Sequence, residues 1–176
     1  MAYGDYSHVE GTGNLALGLA SHAQGYAAAA LENYSFASGC IVAAKNTGAI
    51  ATGLITTAEG QYSCAFGSAN IAYGDYSCVF GENNKSYGNN SFVLGKYSKT
   101  AEDDNFIFVI GNGTGPDEER SNAFTIDWDG NAFVKTRLTA ADATITNGLS
   151  VTDIEVGNNL IIGNDLTANG KATIAK

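Results

Sequence analysis

The chain has 176 residues, a length that corresponds to one domain or to two small ones. It contains 22 Gly but a single Pro, and hydrophobic residues make up 44% of it. Disorder requires a chain poor in apolar residues, collagen requires abundant Pro with Gly at every third position, and a membrane span requires about 18 consecutive apolar residues. The sequence meets none of these conditions, so we expect a folded, soluble, glycine-rich protein without membrane insertion.

The charge and the cysteines exclude further classes. A net charge of −9 argues against nucleic acid as a partner, because phosphates favour a basic surface. The three cysteines, Cys40, Cys64 and Cys78, are odd in number and lack metal-binding spacing, so neither a disulfide framework nor a zinc site is predicted. The N-terminus has no signal-peptide pattern, so we expect either that the chain is not exported by that route or that it is a fragment.

A 14-residue repeat runs from Gly4 to Ala101 in seven copies that read G-x-x-S-x-A/V-x-G-x-x-x-x-A-x. One column of the repeat is invariant, with Gly11, Gly25, Gly39, Gly53, Gly67, Gly81 and Gly95. A second column lies seven residues out of phase and consists of Gly4, Gly18, Glu32, Asn46, Gly60, Gly74 and Gly88. Glycine supplies the positive-φ conformations of tight turns, so each unit is predicted to form two short strands and two glycine corners.

Stacking identical units places each strand beside its equivalent in the next unit, which predicts a parallel β-roll. Paired helices of the same length are the alternative, but glycine at every seventh residue disfavours helices. Alternation along the first strand of each unit separates a face of Ser, Ala or Val and Gly from a face that carries larger side chains. A 14-residue coil is narrow, so the small face is predicted to line its interior.

The larger side chains then form an outward apolar stripe over about five coils, and an exposed stripe of that length predicts a protein interface. Copies of the chain packed around a shared axis would bury it. In the alternative interpretation, these side chains form the roll's own core and the Ser/Ala face is solvated. The predicted interface residues are Phe36, Ile50, Cys64, Phe66, Cys78, Phe80, Phe92 and Leu94.

The repeat resembles two known families. Its S-x-A-x-G recurrence is similar to the left-handed parallel β-roll head of trimeric autotransporter adhesins of the YadA type. Ser7-His8-Val9-Glu10-Gly11 and Ser21-His22-Ala23-Gln24-Gly25 are closer still to the S-H-A-E-G repeats of phage tail fibre proteins. The resemblance covers about residues 4–101 and implies a homotrimer whose larger strand residues face the threefold axis. Glu32, Asn46 and Ala49 depart from the pattern.

Two further segments follow the roll, which we assign to residues 1–101. Residues 102–137 are predicted to form a β-hairpin module, because Asn105 to Ile110 is a compact apolar run and Asp129-Gly130 is a strong hairpin signal. Arg120 to Asn131 resembles segments that follow such repeats in phage tail proteins. Residues 138–176 are predicted to form short apolar strands with Asn/Gly turns, a pattern that resembles the intertwined fibrous shaft of phage fibres.

Two sets of polar or aromatic residues are candidate sites. His8 and His22 stand one repeat apart, and on a threefold axis each would form a ring of imidazoles able to hold a metal or an anion; the alternative is polar filler. Tyrosines recur at two positions beside the turns and provide flat contact area for a host glycan or surface protein, or else stacking that stabilises the roll. These tyrosines are Tyr6, Tyr34, Tyr62 and Tyr76 at one position and Tyr3, Tyr73 and Tyr87 at the other.

No catalytic constellation is predicted, because both histidines lie in the first two coils and the serines belong to the repeat. Asp127-x-Asp129-Gly130-Asn131 lacks the terminal Glu of a calcium loop and favours a turn, so no cofactor or metal is assigned. We therefore expect a non-enzymatic trimeric fibre protein of a phage or prophage tail, located in the virion tail or on an extracellular surface, that attaches to the host. The head of a bacterial surface adhesin is the alternative, and a polysaccharide-degrading spike is disfavoured.

Overall fold

The computed structural model describes residues 1–102 and 105–137, and within these ranges the chain is all-β apart from one short 3₁₀ turn. Strands form a parallel β-solenoid of about seven turns. This confirms the predicted all-β class and the parallel stacking of the repeats. The predicted fibrous segment 138–176 and Asp103-Asp104 lie outside the described residues.

Each of the first six turns of the solenoid contributes one long and one short strand, and the seventh contributes a long strand. The long strands are β1 His8–Thr12, β3 His22–Tyr26, β5 Phe36–Cys40, β7 Ile50–Leu54, β9 Cys64–Ser68, β11 Cys78–Glu82 and β13 Phe92–Lys96. The short strands are β2 Leu15–Ala16, β4 Ala29–Ala30, β6 Ala43–Ala44, β8 Thr57–Ala58, β10 Ile71–Ala72 and β12 Lys85–Ser86. The long strands form one wall of the roll and the short strands form the other.

Equivalent residues of successive repeats stand opposite one another, as in the pairs Cys64–Cys78, Ala65–Val79 and Phe66–Phe80 of β9 and β11. Because side chains alternate along a strand, every second residue of the long strands points into the roll. The interior is filled by small residues, and the largest fully buried side chains include only Val, Asn, Thr and Ser. A core this thin cannot bury an aromatic ring, so the aromatic side chains point away from it.

Glycine is favoured in the two columns for different reasons. Gly67 in the first column has a φ of +111°, and a Cβ there would lie 2.1 Å from the carbonyl oxygen of Gly81 in the next turn. In the second column Gly74 does not have a positive φ, although a Cβ would lie 2.1 Å from the Gly88 oxygen. The prediction that both columns supply positive φ is therefore wrong for the second, where the left-handed residue stands two positions later, for example Tyr76 with a φ of 57°.

The long sheet continues beyond the repeat. Strand β14, Phe106–Asn112, pairs in parallel with β13, and Phe92 stands opposite Phe108. The connection is thus two residues longer than between the repeats. After a 3₁₀ turn at Asp117–Glu119, the antiparallel strands β15 (Asn122–Asp127) and β16 (Ala132–Val134) form the predicted hairpin and complete a ten-stranded sheet.

Candidate functional site

The two faces of the long strands differ as the alternation predicts. Ala37, Ala51, Ala65, Val79 and Val93 are buried inside the roll. The alternative in which the large side chains form the core is therefore wrong, because the volume between the two walls is filled by alanine, valine and serine. The large side chains project from the outer face of the ten-stranded sheet.

The predicted interface residues form two adjacent columns on that outer face, and we call these two columns the outer stripe. Within a single chain seven of the eight are half-buried and Phe80 is 38% exposed. Their burial comes from one another: the rings of Phe66 and Phe80 stack with centroids 4.9 Å apart, and those of Phe92 and Phe108 stack at 5.8 Å. The stripe extends past the repeat through Phe108 and Ile110, which stand opposite Phe92 and Leu94.

The first three turns give the stripe a polar end. The rings of His8 and His22 stack at 4.7 Å, and His22 stacks in turn on Phe36 at 5.1 Å. The Nε2 of His22 lies 3.0 Å from Oε1 of Gln24. Among the described residues, no group of three or more His, Cys, Asp or Glu side chains of one chain could hold a metal ion. An ion at His8 or His22 would thus need imidazoles from several chains, and it remains a prediction.

The three cysteines are free and half-buried. Cys64 and Cys78 stand side by side on neighbouring strands of the outer stripe. Burial, followed by the neighbouring Cys78 thiol, raises the pKa of Cys64 from 9.0 to about 11. At neutral pH the Cys64 thiol is therefore protonated and behaves as apolar contact surface rather than as a nucleophile.

The tyrosines divide into stacked and separate rings. Tyr62 stacks on Tyr76 at 5.4 Å and Tyr73 on Tyr87 at 4.8 Å, as the stacking interpretation predicts. Tyr3, Tyr6 and Tyr34 project into solvent, with Tyr6 92% exposed. Their spacing explains the lack of stacking, because Ala20 and Gly48 occupy the Tyr6/Tyr34 position in the neighbouring turns, and Leu17 occupies the Tyr3 position in the next turn. Recognition of a host molecule by these rings remains a prediction.

A buried asparagine column, absent from the repeat consensus, ties the turns together. Nδ2 of Asn84 donates to the carbonyl oxygens of Phe80 and Gly95 at 2.9 and 2.7 Å, while Oδ1 accepts from the amide of Ser98 at 3.0 Å. Asn70 makes the equivalent bonds one turn earlier. The signal in the sequence is an Asn at the same repeat position in three of the seven copies, Asn14, Asn70 and Asn84, where the other four copies carry Ala28, Val42, Thr56 and Ser98.

A further feature that the sequence analysis did not identify is a cleft at the end of the roll, which we call the terminal cleft. Its volume is about 690 Å³, and its lining includes Lys99, Arg120, Lys135, Phe106 and Phe133. These residues come from four separate segments that only the turn from parallel to antiparallel pairing brings together. No short motif could therefore have indicated it.

The fold and these surfaces define a class: a parallel β-solenoid with small interior side chains and a large, apolar, outward stripe. In the part of the chain that the structure describes, no helix has the length and apolar character needed to cross a membrane. Comparison of the chain with protein-family models, curated proteins and solved structures gave no match. Function must therefore be inferred from the surfaces themselves.

Proposed function

We propose that this chain is a non-enzymatic segment of a homotrimeric fibre in which three left-handed β-rolls of 14-residue coils pack their outer stripes around a common axis. The observation that carries the proposal is the outer stripe itself, a column of large apolar side chains along the length of the sheet. Water contact with such a column is unfavourable, and a closed cyclic assembly of identical chains buries the same column in every copy.

The serines of the repeat support a structural rather than a catalytic role. The hydroxyls of Ser21, Ser63 and Ser77 are buried, and each donates at 2.7 Å to the carbonyl oxygen of the glycine three residues before it. A hydroxyl that is buried and committed to a backbone oxygen cannot approach a substrate. We therefore assign these serines to the turns.

Within a trimer, the function that fits is attachment of a phage or prophage tail to a host surface. Each exposed feature, including the tyrosines Tyr3, Tyr6 and Tyr34, would be presented three times on one stiff support, and linked weak contacts combine into strong attachment. The head of a bacterial trimeric surface adhesin is the alternative. Antibodies raised against the chain would label purified virions in the first case and the bacterial surface in the second.

The test of assembly is light scattering coupled to size-exclusion chromatography. The chain should elute with three times its 18.2 kDa mass, and Phe66→Asp with Phe80→Asp should abolish the trimer. The matched control is Tyr62→Asp with Tyr76→Asp, which charges an equally stacked aromatic pair outside the stripe and should leave the trimer intact. A monomeric wild-type chain, or a trimer that survives the Phe66/Phe80 change with an unchanged far-ultraviolet spectrum, contradicts the proposal.

A further inference from the structure

The terminal cleft lies on the interior face of the roll, which is open at the hairpin end within residues 1–102 and 105–137. Val109 of β14 is buried and stands opposite Thr125 of β15, which stands opposite Phe133 of β16. Directly opposed residues share one face of a sheet, so Phe133 lies on the face that lines the core in the earlier turns. Within the described residues the short-strand wall ends at β12, so no second wall covers this face of the hairpin.

Positive charge is concentrated in the cleft, although the chain as a whole carries a net negative charge. The lining includes Lys99, Arg120 and Lys135, three of the nine Lys and Arg residues in a chain of net charge −9. Asp127 is the single acidic residue of the lining. A cleft with low-dielectric walls focuses the field of such charges and attracts an anion even to an acidic protein.

Two of the cationic side chains, Arg120 and Lys135, are oriented by hydrogen bonds to the groups around them. Nη1 of Arg120 donates to the carbonyl oxygens of Asn83 and Ser98 at 2.7 and 3.2 Å, and Cζ lies 5.8 Å from the ring centroid of Tyr97. These contacts orient the guanidinium and, within the described residues, leave its Nη2 and Nε without a hydrogen-bond partner in the protein. Lys135 is oriented by a bond from its ammonium to the Ser121 hydroxyl. Orientation before binding lowers the entropy cost of recognising a ligand.

The other walls offer an aromatic ring and polar acceptors. Phe133 is 59% exposed, and Phe106 forms the floor where it packs against the core. Asp127 accepts from the amide and from Nδ2 of Asn131 at 2.8 and 2.9 Å, and these bonds lower its pKa, so it is a carboxylate at neutral pH. Its remaining lone pairs can accept hydroxyl protons from a ligand.

We propose that the terminal cleft binds a carboxylate-bearing sugar, such as a uronic or sialic acid at the surface of a cell. Guanidinium and ammonium groups recognise the carboxylate, an exposed phenyl ring receives the apolar face of the sugar ring, and Asp127 and Asn131 accept and donate to its hydroxyls. A simple inorganic anion would use the cations but would leave the ring and the acceptors without a role.

The position of the cleft is compatible with the trimer, and this step rests on the proposed function. Ile110 of the outer stripe stands opposite Phe124, so the stripe face of the hairpin is the one opposite to Thr125 and Phe133. Packing of the stripes around an axis would therefore leave three terminal clefts open to the outside. Three equivalent sites on one particle can bind a repetitive polysaccharide with avidity.

The test measures binding of glucuronic acid and N-acetylneuraminic acid to the full chain by isothermal titration calorimetry, with the methyl ester of each acid as its uncharged counterpart. We expect each ester to bind about tenfold more weakly than its acid. Lys99→Gln with Lys135→Gln should weaken binding of the acids by about tenfold and leave the esters unchanged. Phe133→Ala should weaken acid and ester alike, because contact with the ring does not depend on charge. The two acids distinguish the uronic from the sialic source.

The matched control is Lys45→Gln with Lys96→Gln, which removes two positive charges from outside the cleft. An equal loss of affinity in this control, equal binding of acid and ester, or no binding of either acid overturns the proposal. Light scattering on the same samples separates it from the proposed function. A monomer that binds the acids contradicts the fibre assembly alone, and a trimer that binds neither acid contradicts the cleft alone.

Discussion

Replacement of one glycine in the middle of the roll should reveal how closely its turns approach. In Gly67→Ala, the new Cβ would lie 2.1 Å from the Gly81 oxygen, whereas ordinary contact begins at 3.4 Å, so the two turns must separate locally by about 1.3 Å. Overpacking of that kind costs about 1–3 kcal/mol. The φ of +111° adds about 1–2 kcal/mol for any residue with a Cβ. We therefore expect a loss of about 2–5 kcal/mol in the free energy of unfolding.

Gly13→Ala is the matched control, because it has a positive φ of +70° without the close approach: the nearest atom to its Cβ, the Ala27 nitrogen, is 3.8 Å away. Ala27 and Ala69 already occupy the equivalent corner with a φ of 52° each. This variant should therefore lose only the conformational part, about 1–2 kcal/mol or less.

Urea unfolding followed by circular dichroism, at one fixed protomer concentration, measures both losses. The midpoint of Gly67→Ala should fall well below that of Gly13→Ala. If the two variants agree within about 0.5 kcal/mol, the close approach of the turns contributes nothing and the reasoning from Cβ contact is refuted.

Two other changes test the interior and the stripe. Asn84→Ala removes three side-chain hydrogen bonds and leaves buried backbone groups unpaired, so it should lower the free energy of unfolding by about 2–4 kcal/mol. Asn89 is exposed and accepts one bond, so Asn89→Ala should cost less than about 1 kcal/mol. Equal urea midpoints for the two variants would contradict a stabilising role of the asparagine column. Because burial and Cys78 raise the pKa of Cys64 from 9.0 to about 11, the folded state favours the thiol. The contribution of Cys64 to the free energy of unfolding should therefore be fully present below about pH 9 and be lost as pH rises towards about 11. Cys78→Ala should lower the pH at which iodoacetamide begins to alkylate Cys64 in the native protein, as followed by mass spectrometry, and an unchanged pH profile would exclude the coupling of the two thiols.

The roll could be predicted from the sequence because every turn obeys the same local constraint. Gly67 and its equivalents cannot carry a Cβ, and Ala65 and its equivalents must fit a narrow interior, so the same residue types recur in every repeat. The outward direction of Phe66 and Phe80 then follows from strand alternation alone.

The remaining features depend on contacts that have no period. The eighth strand of the parallel sheet, β14, lay outside the predicted roll because two extra residues move Phe108 out of the 14-residue register. The left-handed conformation of Tyr76 contradicts local propensity, since a bulky residue is disfavoured there, and only the turn as a whole determines it. The terminal cleft joins Lys99 to Phe133, which are distant in sequence, through antiparallel pairing that the repeat does not contain.

The hairpin of β15 and β16 makes the two ends of the ten-stranded sheet different. The ten-stranded sheet begins at β1, which has the parallel register of the repeat, and ends at β16, which runs antiparallel to its neighbour. Each turn contacts only the turns beside it, so a duplicated repeat would lengthen the sheet by about 4.8 Å without changing the hairpin or the cleft. The number of repeats therefore sets the length of the sheet, while the residues of the terminal cleft stay the same.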